Sequence, residues 1–175
     1  MSNLPTILEV SDLHVAFPTR QGPFAAVDGV SLQLGVSERL GLIGESGSGK
    51  STLALALMRL IKPPGQITRG RIVLDGVDIL GLTEHEMRQR RLADIALVNQ
   101  GAMNSLNPVM RIRDQMIDAM QAHGDERSKH EWQAHLADLL RSVNLRPEVA
   151  DLFPHQLSGG MKQRVCIATA ISLRP

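Results

Sequence analysis

Nine consecutive residues, Gly44–Thr52, have the residue types and spacing of a loop that binds phosphate. They read Gly-Glu-Ser-Gly-Ser-Gly-Lys-Ser-Thr and fit the pattern G-x-x-x-x-G-K-[ST]. Glycines let successive backbone N–H groups turn toward an anion, and the start of a helix adds partial positive charge. We therefore expect Lys50 to contact the β- and γ-phosphates of ATP and the Ser51 hydroxyl to bind Mg²⁺. The predicted nucleotide-binding residues of this loop are Gly44, Glu45, Ser46, Gly47, Ser48, Gly49, Lys50, Ser51 and Thr52.

A flexible Gly/Ser turn before an unrelated helix is the alternative interpretation of this stretch. A chance match to the pattern somewhere in the chain has a probability on the order of 1%. We therefore interpret the loop as a phosphate site.

A second glycine-containing motif, Leu-Ser-Gly-Gly-Met-Lys-Gln-Arg, occupies residues 157–164. Ser158 is predicted to cap a helix, and two glycines leave the first turn open enough for a ligand to reach the backbone. Alone, such a motif is usually only a loop and a helix cap. In one chain with the phosphate loop, and with a strand ending in Gln100 between them, a chance origin is very improbable.

The elements that must position the phosphate loop follow from the residues around it. Residues 39–43 are predicted to form a short buried strand, and residues 51–60 a helix that ends before Pro63-Pro64-Gly65. Residues 94–100 are apolar on both faces, which favours a strand in the middle of a parallel sheet. The strand, loop and helix are the context in which this pattern binds phosphate.

The other predicted elements divide into strands and helices. Residues 7–17 and 25–34 alternate apolar and polar side chains and predict antiparallel strands, and residues 70–76 predict a strand that ends in an Asp-Gly turn. Residues 84–91 predict a short helix that starts with a capping box. Between residues 101 and 144 we find only helical and loop patterns.

Two of these helices have a clear apolar face. Residues 109–123 are predicted to be helical, and a capping box from Ser128 to Glu131 opens another helix. We expect an antiparallel β subdomain with an α/β core over residues 1–100, and a small α-helical subdomain over 101–157. Residues 158–175 then contain the helix of the second motif.

Composition limits the kind of protein. The 175 residues are 43% hydrophobic and 21% charged, as in an ordinary globular protein. A net charge of +1 gives no reason to expect nucleic acid as a partner. No apolar run reaches membrane-spanning length, and a single cysteine, Cys166, excludes an internal disulfide. We expect this cysteine to be packed among apolar side chains rather than reactive.

Together the motifs resemble those of the nucleotide-binding subunit of an ABC transporter, over essentially the whole chain. Residues 44–52 match the Walker A loop of that family, and Gln100 matches the glutamine of its Q-loop, which positions Mg²⁺ and the attacking water. The family's LSGGQ signature matches residues 157–161, with methionine in place of the final glutamine. The resemblance implies that Ser158, Gly159, Gly160 and Met161 act on ATP bound to a second subunit.

Phe17 falls where the family places an aromatic that stacks on adenine. Ordinary strand packing explains this residue nearly as well, because an aromatic contact contributes only about 0.5–1.5 kcal/mol. The fold that the resemblance implies is α/β: a P-loop NTPase core whose mixed sheet includes an antiparallel β subdomain, with an inserted α-helical subdomain.

Three short stretches are similar to the oligopeptide, dipeptide and nickel importer ATPases within that family. They are residues 63–65, 103–108 and 153–156. The sequence differs from that subfamily at residues 99–102, where the subfamily more often has Phe or Ser before the glutamine and Asp-Pro after it. The identity of the transported solute therefore stays open.

The resemblance implies an ATPase that drives transport from the cytoplasmic face of the cell membrane, as a peripheral subunit. Its implied partners are a second ATP-binding subunit, identical or related, transmembrane permease subunits, and indirectly a solute-binding protein. Two alternatives stay open: a non-catalytic nucleotide-binding or interaction module, and a soluble ABC ATPase that is not linked to transport. A simple P-loop kinase would leave residues 157–161 unexplained.

The resemblance also implies where the residues that hydrolyse ATP should lie in the sequence. The resemblance places a Walker B strand ending in Asp and Glu, and a later His, after the signature helix, whereas the sequence ends at residues 171–175. No apolar strand pattern ending in Asp-Glu follows Gln100. We therefore expect a truncated chain that lacks the C-terminal part of the core and does not hydrolyse ATP alone.

Overall fold

The structure is a computed structural model, and it describes residues 5–99, 101 and 104–175. The chain divides into two compact units, Met1–Arg88 and Gln89–Pro175. The domain boundaries expected after residues 100 and 157 remain predictions.

The first unit contains a four-stranded antiparallel sheet. Its strands are β1 (Thr6–Thr19), β2 (Gly22–Gly35), β3 (Gln66–Leu74) and β4 (Val77–Asp78), in the order β2-β1-β3-β4. The strands predicted from residues 7–17, 25–34 and 70–76 are confirmed. Asp75 and Gly76 have positive φ angles of 47° and 75° and turn the chain from β3 into β4.

One face of the sheet is apolar because the side chains alternate along each strand. Val15 lies opposite Val27, and Val10 lies opposite Ile72, and all four side chains are buried. The pairing of β1 shifts near Asp12, which has a φ of 48°. This irregularity bends the strand without changing the apolar character of the buried face.

The first unit also contains α1 (Lys50–Leu57) and most of α2 (Glu84–Arg90), which continues two residues past the boundary at Arg88. Helix α1 ends three residues before the predicted residue 60, and its buried side chains are Leu53 and Ala56. Helix α2 begins as predicted, since the Thr83 hydroxyl accepts a hydrogen bond from the Glu86 N–H at 3.2 Å.

Two predicted strands do not form. Residues 39–43 have no regular secondary structure, and their side chains are exposed, with Ile43 98% accessible. Residues 94–99 form no strand beyond an isolated bridge between Arg91 and Ile95. A strand that is apolar on both faces requires hydrogen-bonded neighbours on both sides, and the four-stranded sheet supplies none to these segments.

The second unit is helical in its described residues. It contains α3 (Ile112–Gln121), α4 (Lys129–Ser142) and α5 (Gly159–Ala170), with 3-10 turns at Pro147–Asp151 and Pro154–Gln156. The two predicted apolar stripes are confirmed, because they meet in one buried cluster. Its members are Ile112, Met116, Met120, Trp132, Leu136, Leu139, Leu140, Leu145, Val149, Leu157, Val165 and Ala168.

Helix α4 begins at the predicted capping box. The Ser128 hydroxyl accepts from the Glu131 N–H at 3.4 Å, and the Glu131 carboxylate accepts from the Ser128 N–H at 2.8 Å. Among the described residues, no helix combines the length and the apolar character that a membrane crossing requires.

Candidate nucleotide-binding site

The phosphate loop joins residue 43 to the start of α1. Gly47 and Gly49 have φ angles of 86° and 87°, a region that residues with a Cβ rarely adopt. Gly49 is the N-cap of α1 and, having no side chain, makes no capping hydrogen bond. The first N–H groups of α1 have no partner within the helix, so this terminus has the polarity that binds an anion.

Gly49 also lies very close to β2. A Cβ added at this position would overlap the backbone carbonyl oxygen of Ala26 and lie 3.9 Å from a methyl group of Val27. Glycine is therefore required at position 49 for two reasons: the φ angle is positive, and β2 leaves no room for a Cβ. Sequence reasoning missed this contact because it joins residues distant in the chain, and no local pattern marks Ala26.

The side chain of Lys50 turns back into the loop. Its ammonium group donates hydrogen bonds to the carbonyl oxygens of Gly44 at 2.8 Å and Glu45 at 2.5 Å, and to the Ser48 hydroxyl at 3.0 Å. A turn hydrogen bond from the Ser48 N–H to the Glu45 carbonyl, at 3.3 Å, closes the same segment. The loop thus surrounds a positive charge at the N-terminus of α1.

This arrangement fits the phosphate chain of a nucleotide. The cation and the free helix N–H groups are complementary to phosphate oxygens. The predicted loop residues that carry no such contact, Ser46 and Ser51, are exposed, and Thr52 is half-buried in the first turn of α1.

A magnesium ion would find one predicted protein ligand here, the exposed hydroxyl of Ser51. Within the described ranges, no cluster of three or more His, Cys, Asp or Glu side chains could hold a metal ion. One hydroxyl is compatible with Mg²⁺ in particular, because Mg²⁺ is usually bound by one or two protein oxygens together with phosphate oxygens and water. The second predicted ligand, Gln100, lies outside the described residues.

Phe17 is near the end of β1 and is half-buried. Its ring packs against the buried backbone of Gly65, where an added Cβ would overlap the ring edge. The Cα of Phe17 pairs with that of Phe24 in β2. The structure therefore gives Phe17 a packing role within the first unit, and its adenine contact remains a prediction.

The second motif begins α5. Ser158 is its N-cap, as predicted, and its hydroxyl accepts a hydrogen bond from the Met161 N–H at 3.3 Å. Gly159 and Gly160 are exposed, and a Cβ added at Gly160 would meet nothing within 4 Å. The Met161 side chain is half-buried against the helical core. The glycines leave this helix start open to a partner, whereas Met161 is used for packing.

Arg164 fixes the start of α5 and was not predicted as a site residue. Its guanidinium donates to the carbonyl oxygen of Asn144 at 2.8 Å and to that of Gly160 at 3.3 Å. These bonds connect the first turn of α5 to the segment after α4. No local sequence pattern indicates that Arg164 contacts Asn144, because the two residues are distant in sequence.

Cys166 lies farther along α5 and is half-buried. Burial raises the pKa of its thiol, and the Ser105 hydroxyl lies 4.0 Å from the sulfur. A thiol that is protonated at neutral pH is a poor nucleophile. The location of the cysteine agrees with the packing role expected from the sequence.

Comparison with known proteins supports the interpretation of both motifs. A family model described as ABC transporter matches residues 27–175. The dipeptide transport ATP-binding protein DppD of Caldanaerobacter subterraneus is 42% identical over 170 residues, covering 97% of this chain and 52% of that protein. The oligopeptide transport ATP-binding protein OppD of Bacillus subtilis is 40% identical over 178 residues, covering 100% of this chain and 49% of that protein. The chain thus spans about half the length of the curated relatives that it matches.

Solved structures agree with the sequence comparison. The bacterial ABC transporter cassette MJ0796, solved as a dimer, superposes with a TM-score of 0.84 at 26% identity, over 96% of this chain and 70% of that one. The same cassette, solved as a dimer in a post-hydrolysis state with ADP and Pi, matches equally well. The P-loop NTPase fold expected from the sequence is confirmed by these cassettes. With the family model covering residues 27–175 and both glycine motifs in their expected places, the chain belongs to the ABC transporter family.

Proposed function

We propose that this chain is the ATP-binding part of an ABC importer that couples ATP binding and hydrolysis to transport of a solute across a membrane. The observation that carries the proposal is the Lys50 ammonium, which is held 2.5–3.0 Å from three oxygens of the loop at the N-terminus of α1. A half-buried cation beside the N–H groups at a helix start is suited to a polyphosphate.

Several residues of the loop have defined parts in binding ATP. Lys50 contacts the β- and γ-phosphates, the backbone from Gly44 to Gly49 surrounds them, and Ser51 supplies a hydroxyl to Mg²⁺. The metal, when bound, neutralises phosphate charge. Gln100 is proposed to position the attacking water and Mg²⁺.

We further propose that the exposed start of α5 acts on ATP held by a second ATP-binding subunit, identical or related. Ser158, Gly159 and Gly160 present an N-capped helix terminus and an open backbone surface, the features that receive an anion. The dimeric state in which MJ0796 was solved supports such pairing. Transmembrane permease subunits and, indirectly, a solute-binding protein complete the proposed assembly at the cytoplasmic face of the cell membrane.

Peptides are the proposed solutes, with nickel-type solutes as the alternative within the same subfamily. The support is the naming of the relatives, which are dipeptide and oligopeptide transport ATP-binding proteins. The stretches 103–108 and 153–156, similar to that subfamily in sequence, favour the same group.

The 175 residues themselves are proposed to bind ATP without hydrolysing it. Phosphoryl transfer depends on groups that position water and neutralise charge, and no strand pattern ending in Asp-Glu follows Gln100 in this sequence. Phosphate release from Mg-ATP by the purified chain should therefore stay at the level of the Lys50→Ala variant.

Isothermal titration calorimetry with ATP tests the central assignment. Lys50→Ala should abolish measurable ATP binding, whereas Lys62→Ala, an exposed lysine outside the loop, should bind as the wild type does. Circular dichroism checks that both variants are folded. Unchanged affinity in Lys50→Ala would disprove the phosphate-loop assignment.

A further inference from the structure

A histidine in β1 has a carboxylate at each of its two ring nitrogens. The Nε2 atom of His14 lies 2.9 Å from an oxygen of Asp12, and its Nδ1 atom lies 3.0 Å from an oxygen of Asp28 in β2. A neutral imidazole has one N–H group and can donate to only one of these carboxylates, whereas an imidazolium has two. The two contacts together are therefore those of a protonated ring.

The irregularity in β1 directs Asp12 toward this ring. Asp12 has a φ of 48°, and its backbone N–H donates to the Ser31 hydroxyl of β2 at 2.9 Å. Its second carboxylate oxygen lies 2.9 Å from the Nε atom of Arg69 in β3. The hydrogen bond with His14 is the main cause that holds the pKa of the Asp12 carboxyl below its ordinary value. A strand irregularity that re-aims one side chain in this way is a feature of the fold rather than a defect.

Asp28 is held less firmly than Asp12. Its side chain is 79% exposed, compared with 48% for Asp12 and 25% for His14. Water can replace the histidine at such an exposed carboxylate, whereas the Asp12 carboxylate is also held by Arg69. When the ring has a single proton, the N–H should therefore stay with Asp12, and the bare nitrogen faces Asp28.

We propose that His14 is a proton-dependent link between β1 and β2, which holds Asp28 while the ring is protonated and releases it when the ring is neutral. The charged side chains around the ring come from three strands: Asp12 of β1, Asp28 of β2 and, through Asp12, Arg69 of β3. With a protonated ring, the two positive and two negative charges of this group balance. With a neutral ring, one negative charge is in excess, and Asp28 loses its hydrogen-bond donor.

This link lies close to the part of β2 that supports the phosphate loop. Asp28 is two residues from Ala26, and the Ala26 carbonyl is the group that a Cβ added at Gly49 would overlap. A change in the protonation of His14 therefore acts on the strand against which the end of the loop packs.

The direction of the pH effect follows from which form of the ring makes both contacts. Histidine side chains exchange their charge between about pH 5 and pH 8. The contact with Asp28 stabilises the sheet while the ring is protonated, so its contribution is lost as the pH rises through this range. The contribution of the Asp12 carboxylate is lost at the opposite end, as the pH falls through its lowered pKa.

Urea unfolding at about pH 5 and about pH 8.5 tests the link. An ion pair between exposed side chains changes a folding equilibrium by about 2- to 5-fold. The decrease in the folding equilibrium constant caused by Asp28→Ala should therefore be about 2- to 5-fold larger at the lower pH. In a His14→Phe background, which keeps a ring but has no N–H group, Asp28→Ala should have the same effect at both pH values.

Arg71 and Asp78 provide the matched control, because they form an ion pair at 3.2 Å in the same sheet without a histidine. Asp78→Ala should have the same effect at both pH values. The comparison of Asp28→Ala with Asp78→Ala needs only the substitution of solvent-accessible carboxylates, so it decides the question even if His14→Phe does not fold. An effect of Asp28→Ala that is equal at both pH values would overturn the proposal. A pH-dependent effect that persists in the His14→Phe background would also overturn it, since another group would then be responsible.

Discussion

Replacing Gly49 by alanine tests whether the loop depends on the approach of its backbone to β2. Gly49 has a φ of 87°, so any residue with a Cβ is strained there. The new methyl group would also overlap the carbonyl oxygen of Ala26, which belongs to a paired strand. Relief of the overlap requires movement of backbone, because no flexible side chain lies in the way.

The expected size of the effect follows from these two contributions. A residue held at an unfavourable φ costs about 1–3 kcal/mol. Inserting a methyl group into filled space costs about 1–3 kcal/mol more. Gly49→Ala should therefore lower the free energy of unfolding by about 2–6 kcal/mol.

Gly47 is the matched control in the same loop. Its φ of 86° is nearly the same, but a Cβ added there would meet no atom within 4 Å. Gly47→Ala should therefore show the conformational cost alone, about 1–3 kcal/mol. The difference between the two variants measures the overlap with Ala26.

Urea unfolding followed by circular dichroism gives the free energies for the wild type and both variants. The expected order of stability is wild type, then Gly47→Ala, then Gly49→Ala. Equal destabilisation of the two variants would show that the approach to Ala26 costs nothing, and a more stable Gly49→Ala would refute the geometry of the loop.

Two further predictions concern the helical unit. Leu140→Ala, at a fully buried position, should destabilise the protein by about 2–5 kcal/mol, whereas Val109→Ala, 79% exposed, should change its stability by less than about 0.5 kcal/mol in the same urea assay. Hydrogen bonds from the hydroxyl and the backbone N–H of Ser128 hold the pKa of the Glu131 carboxyl below its ordinary value. The carboxylate therefore stabilises the fold at neutral pH, and this contribution should be lost as the pH falls through the lowered pKa of this carboxyl. Glu131→Gln should show a smaller loss of stability between pH 7 and pH 3 than the wild type, and an identical loss would contradict the role of the capping box.

The elements that sequence reasoning placed well are those whose signals are local. Strands β1 and β2 alternate apolar and polar residues, and α4 opens with a capping box followed by a stripe of period 3.6. These local signals predict the elements correctly because the apolar face of each element packs within the same unit. The buried cluster of the helical unit contains apolar side chains of both α3 and α4 for this reason.

Two strand predictions were wrong because a central strand depends on neighbouring strands, which a local pattern does not specify. Residues 39–43 and 94–99 have the composition of central strands, but a strand exists only as part of a hydrogen-bonded ladder. Apolar composition predicts that a segment can form a strand when a neighbouring strand is available for pairing. It does not show which segment would be that neighbour, and in the described residues neither stretch is part of a sheet.

The site was predicted in part for a related reason. The spacing of Gly44, Gly49 and Lys50 predicts a phosphate loop because the pattern is contiguous, and the structure has the expected helix at the end of this loop. The contact of Gly49 with Ala26 is invisible to such a pattern, as is the bond from Arg164 to Asn144. Both join separate elements, and only the folded chain brings them together.

The hydrogen bonds of Lys50 hold its charge in a fixed place inside the loop. The ammonium donates to two neutral carbonyl oxygens and to the Ser48 hydroxyl. Hydrogen bonds from a cation to anionic oxygens are roughly twice as strong as those between neutral groups. Phosphate oxygens therefore compete well for the ammonium once they reach it. In the proposed function Lys50 both organises the loop and contacts the phosphates, which is why its loss is expected to abolish affinity rather than only weaken it.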